Sequence, residues 1–276
     1  MKILKSLMLL SFLSASCLAK DIKLTENENR FAINSKSLTS FNFVNQLSDI
    51  NTSKVKKNDL QFIKLSVDGY GENADNGFAS LPVLEQLINI PQGATININI
   101  IQKVEKEFSL NDYNISDLIF PSQPSLSKSE NAENAMFHFD KEYYNYDGFH
   151  NTDLVSIEIL GEMRGQQLGR LTLSPISYNP KKNKISVVTK LEVSIDFNNV
   201  NYDILDEKRS RFYSHEFEHL FKQCVNYIEY DGAKDVITTY PTKYVIISDP
   251  NFQSALQPLI DWKTKKGFKV IEAYTN

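Results

Sequence analysis

Residues 215 to 219 read His-Glu-Phe-Glu-His. On a helix this H-E-x-x-H spacing sets two imidazoles one turn apart on one face, where they can hold zinc while Glu216 acts as general base toward the metal-bound water. A catalytic zinc also needs a third protein ligand. Downstream the sequence offers Glu229, Asp231, Asp235, Asp249, Asp261 and Glu272, no further histidine, and no second motif that selects one of them. The plainer reading is an amphipathic helix within 212–227, with Phe217, Leu220, Phe221 and Val225 inward and His215 and His219 toward solvent. Adventitious zinc binding by the pair fits better than hydrolysis, so neither a metal nor a cofactor is expected. Cys224 could act as a nucleophile, but beside Val225 it reads as a buried, inert thiol. His138 and His150 bracket an aromatic-rich stretch, HFDKEYYNYDGFH, that reads as packed segment or loop and not as a ligand set.

The elements that would hold such groups are mostly strands. From Lys184 to Phe197, Ile185, Val187, Leu191, Val193, Ile195 and Phe197 alternate with Ser186, Lys190, Glu192, Ser194 and Asp196, which requires one buried face. Ile96, Ile98 and Ile100 alternate with Asn97 and Asn99, and 153–160 and 167–173 add two more strands around Gly161, Gly165 and the Asn179–Asn183 turn. This pattern predicts a β-sandwich or jelly roll over 60–197. Pro121 to Glu133, rich in Ser and Pro and without periodicity, reads as an exposed loop.

Met1 to Ala19 carries Lys2 and Lys5, an apolar run from Leu7 to Leu13 and then small residues, the layout of a cleavable export signal and too short for a membrane span. Cleavage falls between Ala19 and Lys20. An alternative makes Cys17 a lipidated terminus, although Ser14 stands where a lipobox has leucine. Cleavage after Ala19 leaves Cys224 as the one remaining cysteine, so packing without a disulfide must hold the domain. A net charge of −4 and a pI near 5.7 give no basic surface for nucleic acid or anionic lipid.

The C-terminal stretch changes character. Tyr244–Ile247 reads as a strand buried on both faces, and a helix follows with Ser254 and Gln257 spaced as a capping box. Pro258 is tolerable only near a first turn, which predicts a late helix start; Gly267 ends the helix and Phe268–Ala273 forms a second strand. A lone β-α-β unit buries too little to fold by itself, so a larger α/β domain is expected to begin here.

The string Tyr244-Val-Ile-Ile-Ser-Asp-Pro250, Leu256, Leu259-Ile-Asp-Trp-Lys263, Lys266-Gly-Phe-Lys-Val270 and Tyr274-Thr275 resembles the start of the catalytic domain in gingipain-type cysteine peptidases, family C25. Gly77-Phe-Ala-Ser-Leu-Pro82, Asn89-Ile-Pro-Gln-Gly93, Gln123-Pro-Ser-Leu-Ser-Lys128 and Ser174-Pro-Ile-Ser-Tyr-Asn-Pro180 are similar, in order, to the propeptide that precedes it. The resemblance implies a signal peptide (1–19), a β-rich prodomain (20–235) closed by a helical link near 212–227, and the truncated β-α-β start of a caspase-like α/β domain (241–276). It further implies a secreted or surface zymogen of a Gram-negative bacterium. Its prodomain would bind its own peptidase domain, keep it latent and help it fold, and the full-length enzyme would act on proteins or peptides. The family's catalytic His and Cys belong beyond this chain, so no catalytic residue is expected within it. If the peptidase prefers basic side chains, Arg164 or Arg170, beside Gly165 and Gly169, would fill its specificity pocket. The competing reading is a non-enzymatic exported β-sandwich that binds or assembles at a surface, with Trp262 buried in one cooperative fold.

Overall fold

Between Lys184 and Asn198 no Gly or Pro interrupts the chain, and Ile185, Val187, Val188, Thr189, Val193 and Ile195 are β-branched, the residue type that packs best on a pleated surface. This stretch is the spine of the molecule. The computed structural model describes residues 21–57, 59–128, 135–150, 153–212, 215–229 and 242–275. Its strands are β1 (Ile22–Lys23), β2 (Arg30–Lys36), β3 (Ser40–Gln46), β4 (Asp49–Lys57), β5 (Leu60–Ser66), β6 (Gly71–Glu72), β7 (Pro82–Ile90) and β8 (Thr95–Ser109). They continue as β9 (Leu118–Ile119), β10 (Val155–Met163), β11 (Gln166–Leu173), β12 (Ile176–Asn179), β13 (Lys184–Asn198), β14 (Lys243–Ser248) and β15 (Lys269–Tyr274). The helices are α1 (Lys141–Asn145), α2 (Tyr202–Phe212), α3 (His215–Phe221) and α4 (Gln253–Lys265).

Along one side β13 pairs first with β12 and then with β3, and along the other with the full length of β8; β2 extends the sheet beyond β3. A second sheet, β10-β11-β7-β6, packs on it through Phe41, Phe43, Ile88, Leu171, Val193 and Ile195. A third, β1-β4-β5-β9, encloses a separate core with Tyr143, Tyr144, Tyr178, Ile185 and Val187. One strand thus serves two cores. The changeover lies at Val188–Lys190, where the register against β8 slips and leaves Thr189 as the extra residue. The sandwich expected over 60–197 is present, but it also needs β2 and β3, which precede residue 60.

Three buried phenols are paired. Tyr144 Oη donates to the Ile119 carbonyl at 2.6 Å and Tyr178 Oη to Asn183 Oδ1 at 3.1 Å, while Tyr70 Oη donates to Asn45 Oδ1 at 2.8 Å. Burial pushes the Tyr70 phenol up to about 12 against the opposing pull of Asn45, and it raises Tyr143, Tyr144 and Tyr178 as well. A folded-state value above the unfolded one means stability that is complete below pH 10 and lost as pH rises toward 12 and beyond. Phenolate absorbance is therefore expected to include a late phase in which these four ionise, together with loss of near-ultraviolet dichroism.

Residues 243–275 form a unit of their own, with β14 and β15 parallel and α4 across one face. Helix α4 starts at Gln253, earlier than Pro258 suggested, because Asp249 caps a 3-10 turn at Pro250–Phe252 that leads directly into it. The capping box does not form; Gln257 bonds Asp261 one turn on. Gly267, at φ 90°, ends the helix as expected: its N–H bonds the Thr264 carbonyl and Phe268 N–H reaches Lys263. Strand β14 is not buried on both faces. Ile246 is buried, as is Ile260 of α4, but Val245 and Ile247 are 56% and 73% exposed, and Ile271, opposite Val245, shares their open face.

Candidate functional site

The helical link begins ten residues before the position the sequence suggested. Asn201 starts α2, its side chain accepting from Ile204 N–H, and α3 holds the H-E-x-x-H stretch. Within α3, Glu218 is buried and accepts from Tyr227 Oη at 3.1 Å and Lys222 Nζ at 3.2 Å. His219 is exposed, and the side chains of His215 and Glu216 lie outside the described residues. Among the described residues no group of three or more His, Cys, Asp or Glu is placed to hold a metal. Phe221 and Cys224 face the interior, and burial pushes the Cys224 thiol up to about 11, which keeps it protonated and unreactive.

Arg164 sits at the tip of the β10–β11 hairpin with φ 47°. Its Nε donates to the Phe212 carbonyl at 3.0 Å, placing positive charge at the C-terminus of α2, and its guanidinium lies 4.7 Å from the Phe217 ring centre. Beside it Gly165 adopts φ 76°, and a Cβ there would stand 3.0 Å from Lys208 Cβ and 3.1 Å from the Phe212 ring. The hairpin tip clamps the link. Gly165→Ala is expected to lower stability by roughly 1–3 kcal/mol through the left-handed backbone and the clash, with α2 and α3 losing hydrogen-exchange protection first. Arg170, at mid-strand, pairs with Glu158 and, at 3.5 Å, with Glu85; these carboxylates raise its pKa.

The end of the link closes the edge of β7. Val225 N–H bonds the Leu87 carbonyl at 2.9 Å, and the buried Asn226 side chain then takes the place of a strand backbone. Its Oδ1 accepts from Asn89 N–H and its Nδ2 donates to the Asn89 carbonyl, each at 2.8 Å.

A second surrogate pairing pins the exposed loop. The Gln123 amide accepts from His138 N–H at 2.9 Å and donates to the His138 carbonyl at 2.8 Å, which ties together the two legs at its neck. Below the neck, Ser122 and Gly77–Phe78 exchange backbone bonds, and Phe62, Phe120, Phe137 and Phe139 form an aromatic bed. His150 stacks on Tyr143 at 4.0 Å, part of the packed segment expected there. Above the neck, Ser125, Leu126, Ser127 and Lys128 are exposed on one leg and Met136, 79% exposed, on the other. Residues 129–134 of this loop, the export signal with Ala19 and Lys20, Cys17, and the proposed domain boundary near 235 lie outside the described residues. No helix among the described residues is long and apolar enough to cross a membrane.

The family model Propeptide_C25 matches residues 25–223. Lys-gingipain of Porphyromonas gingivalis, in strain W83 and in strain ATCC 33277 alike, is 29% identical over 255 residues, 92% of this chain and 15% of the relative. The chain thus spans about 15% of the length of these curated relatives. A solved structure described as structural insight into zymogenic latency of gingipain K from P. gingivalis superposes with a TM-score of 0.62 at 29% identity, covering 66% of this chain and 99% of that one. A complex of P. gingivalis RgpB pro- and mature domains gives 0.57 at 15% identity, covering 72% and 98%, a likeness of fold.

Proposed function

Since the chain belongs to the C25 propeptide family, we propose that it is the amino-terminal part of an exported, gingipain-like cysteine endopeptidase zymogen, whose prodomain holds the peptidase latent until export is complete. The contrast between the two units carries this reading. The family-matched domain has two apolar cores, a clamped link and a capped β7 edge. The unit at 243–275 instead leaves Val245, Ile247 and Ile271 on an open face, which further β-α units of a caspase-like domain would cover, the catalytic His and Cys among them. Export through a leader cut between Ala19 and Lys20 belongs to the same proposal, as does action on protein or peptide substrates.

Latency requires a group that enters the peptidase cleft. Arg164 is committed to the link and Arg170 to two carboxylates, so both support the prodomain's own architecture better than an external pocket. The pinned loop has the build that such an insertion needs, because its base is fixed, residues 125–128 and Met136 on its two legs are exposed, and Lys128 is among them. The relatives bear the name Lys-gingipain, which favours lysine over arginine as the side chain such a pocket takes. We therefore place the inhibitory contact at Lys128. Titrating the matching mature peptidase with the prodomain tests the whole reading: nanomolar, reversible inhibition is expected, and a peptidase unaffected by micromolar prodomain would refute it.

A further inference from the structure

Strand β8 is fifteen residues long, and among the described residues β13 is the only strand it pairs with. Among the described residues no strand pairs with its other edge. Natural edges of this length are blunted by charge, proline or bulges. The second half of β8 follows that rule, with Lys103, Glu105, Lys106 and Glu107 in close succession. The first half, Thr-Ile-Asn-Ile-Asn-Ile-Ile-Gln from 95 to 102, has no charge and no proline, and its one bulge, at Ile101, falls near its end and leaves 95–100 regular. A register slip leaves Ile101 as an extra residue beside Ile100, and these two side chains are 56% and 50% exposed. Ile100 stands opposite the fully buried Val193, so it lies at the rim of the sandwich core and not on the outer face.

The alternation in this half is its own complement. When two copies pair antiparallel about Ile98, Ile96 meets Ile100, Asn97 meets Asn99 and Ile98 meets itself, apolar with apolar and amide with amide. A register displaced toward Gln102 sets Asn97 against Ile101 and Ile96 against Gln102, and one displaced toward Thr95 carries Ile100 past the end of the strand. We infer that the uncharged half of β8 is a self-association edge, through which two copies join their sheets across a twofold axis at Ile98. Such an interface is isologous and closes at two copies, and the charges from Lys103 onward keep the remainder of the edge from extending the contact.

Sedimentation of the full chain tests this with two double variants that differ only at residue 97. Asn99 already donates to Asp196 Oδ2 at 2.8 Å, so a lysine at 99 retains a local partner. In N97K/N99K each twofold-related pair sets lysine against lysine, and the dimer is expected to dissociate at least about tenfold more readily than the parent. In N97E/N99K each pair becomes glutamate against lysine, and the dimer is expected to persist and to weaken with added salt. A parent chain that stays monomeric at about 100 µM overturns the inference, and so does equal dissociation of both variants, because only the proposed register distinguishes them.

Discussion

A Lys128→Ala prodomain is expected to inhibit the matching peptidase about a hundredfold less tightly than the parent, with its melting temperature unchanged. A side chain that fills a specificity pocket is desolvated and surrounded on all sides, and truncating such an anchor removes about 2–4 kcal/mol while the surrounding contacts change little. Lys128 is exposed in the prodomain itself, so its loss should cost the fold nothing. Lys128→Arg sorts the pocket: recovered inhibition marks a cleft that accepts either basic group, and continued weakness marks one built for an ammonium on a straight stem. Arg170→Ala breaks solvent-screened surface pairs and should leave inhibition unaltered. Arg164→Ala should loosen α2 and α3 before it affects binding. If Lys128→Ala inhibits as well as the parent and either arginine variant does not, the contact belongs to the hairpin and not to the loop. Gln123→Ala gives an independent check, since freeing the neck should slow association by restoring the entropy that the Gln123–His138 bonds remove.

The sandwich could be read from the sequence wherever one face is polar. Leu191 to Phe197 alternates cleanly because the outer face of β13 is solvated there, and the period-two signal follows from that alone. Farther back on the same strand Val188 joins the sandwich core while Ile185 and Val187 face the second, so both sides are buried and alternation no longer reports which side is inside. The N-terminal strands were missed although β3 carries Phe41 and Phe43 at full burial: seven residues with interspersed Asn give too short a periodic run to stand out. Helix α2 escaped because its sequence, YDILDEKRSRF, buries only Leu205 and Arg209 and shows almost no apolar stripe.

The candidate site was less legible than the fold, for a reason specific to its construction. Asn226 and Gln123 act by copying backbone hydrogen-bond geometry with a side-chain amide, and a single Asn or Gln within a polar stretch has no periodicity to announce that role. Arg164 and Arg170 drew attention through charge beside glycine, yet their partners, Phe212, Phe217, Glu85 and Glu158, are brought near only by strand pairing and by the return of the link. The H-E-x-x-H spacing was legible and uninformative, because a pair of histidines at i and i+4 recurs on any helix and the chemistry needs a third ligand from elsewhere.

The tail should prove the least stable part of the chain, and the difference should be large. In 243–275 only Ile246 and Ile260 are buried, beneath a two-stranded sheet and one helix. Two such side chains remove far less apolar surface from water than either core of the preceding domain does. Amides of β14 and α4 are therefore expected to exchange at least about a thousandfold faster than those of β13, whose opening requires both cores to separate. Trp262, 50% exposed and the sole tryptophan, should emit as a solvated indole and should not report the main melting transition. Adding the remainder of a peptidase domain in the same chain should shift that emission to shorter wavelength, as the face of Val245, Ile247 and Ile271 becomes covered. A tail that exchanges as slowly as β13, with Trp262 emission moving in the main transition, would instead make it an integral part of one fold. That outcome would favour the exported binding module over the zymogen, since a module has no further sheet for this face to join.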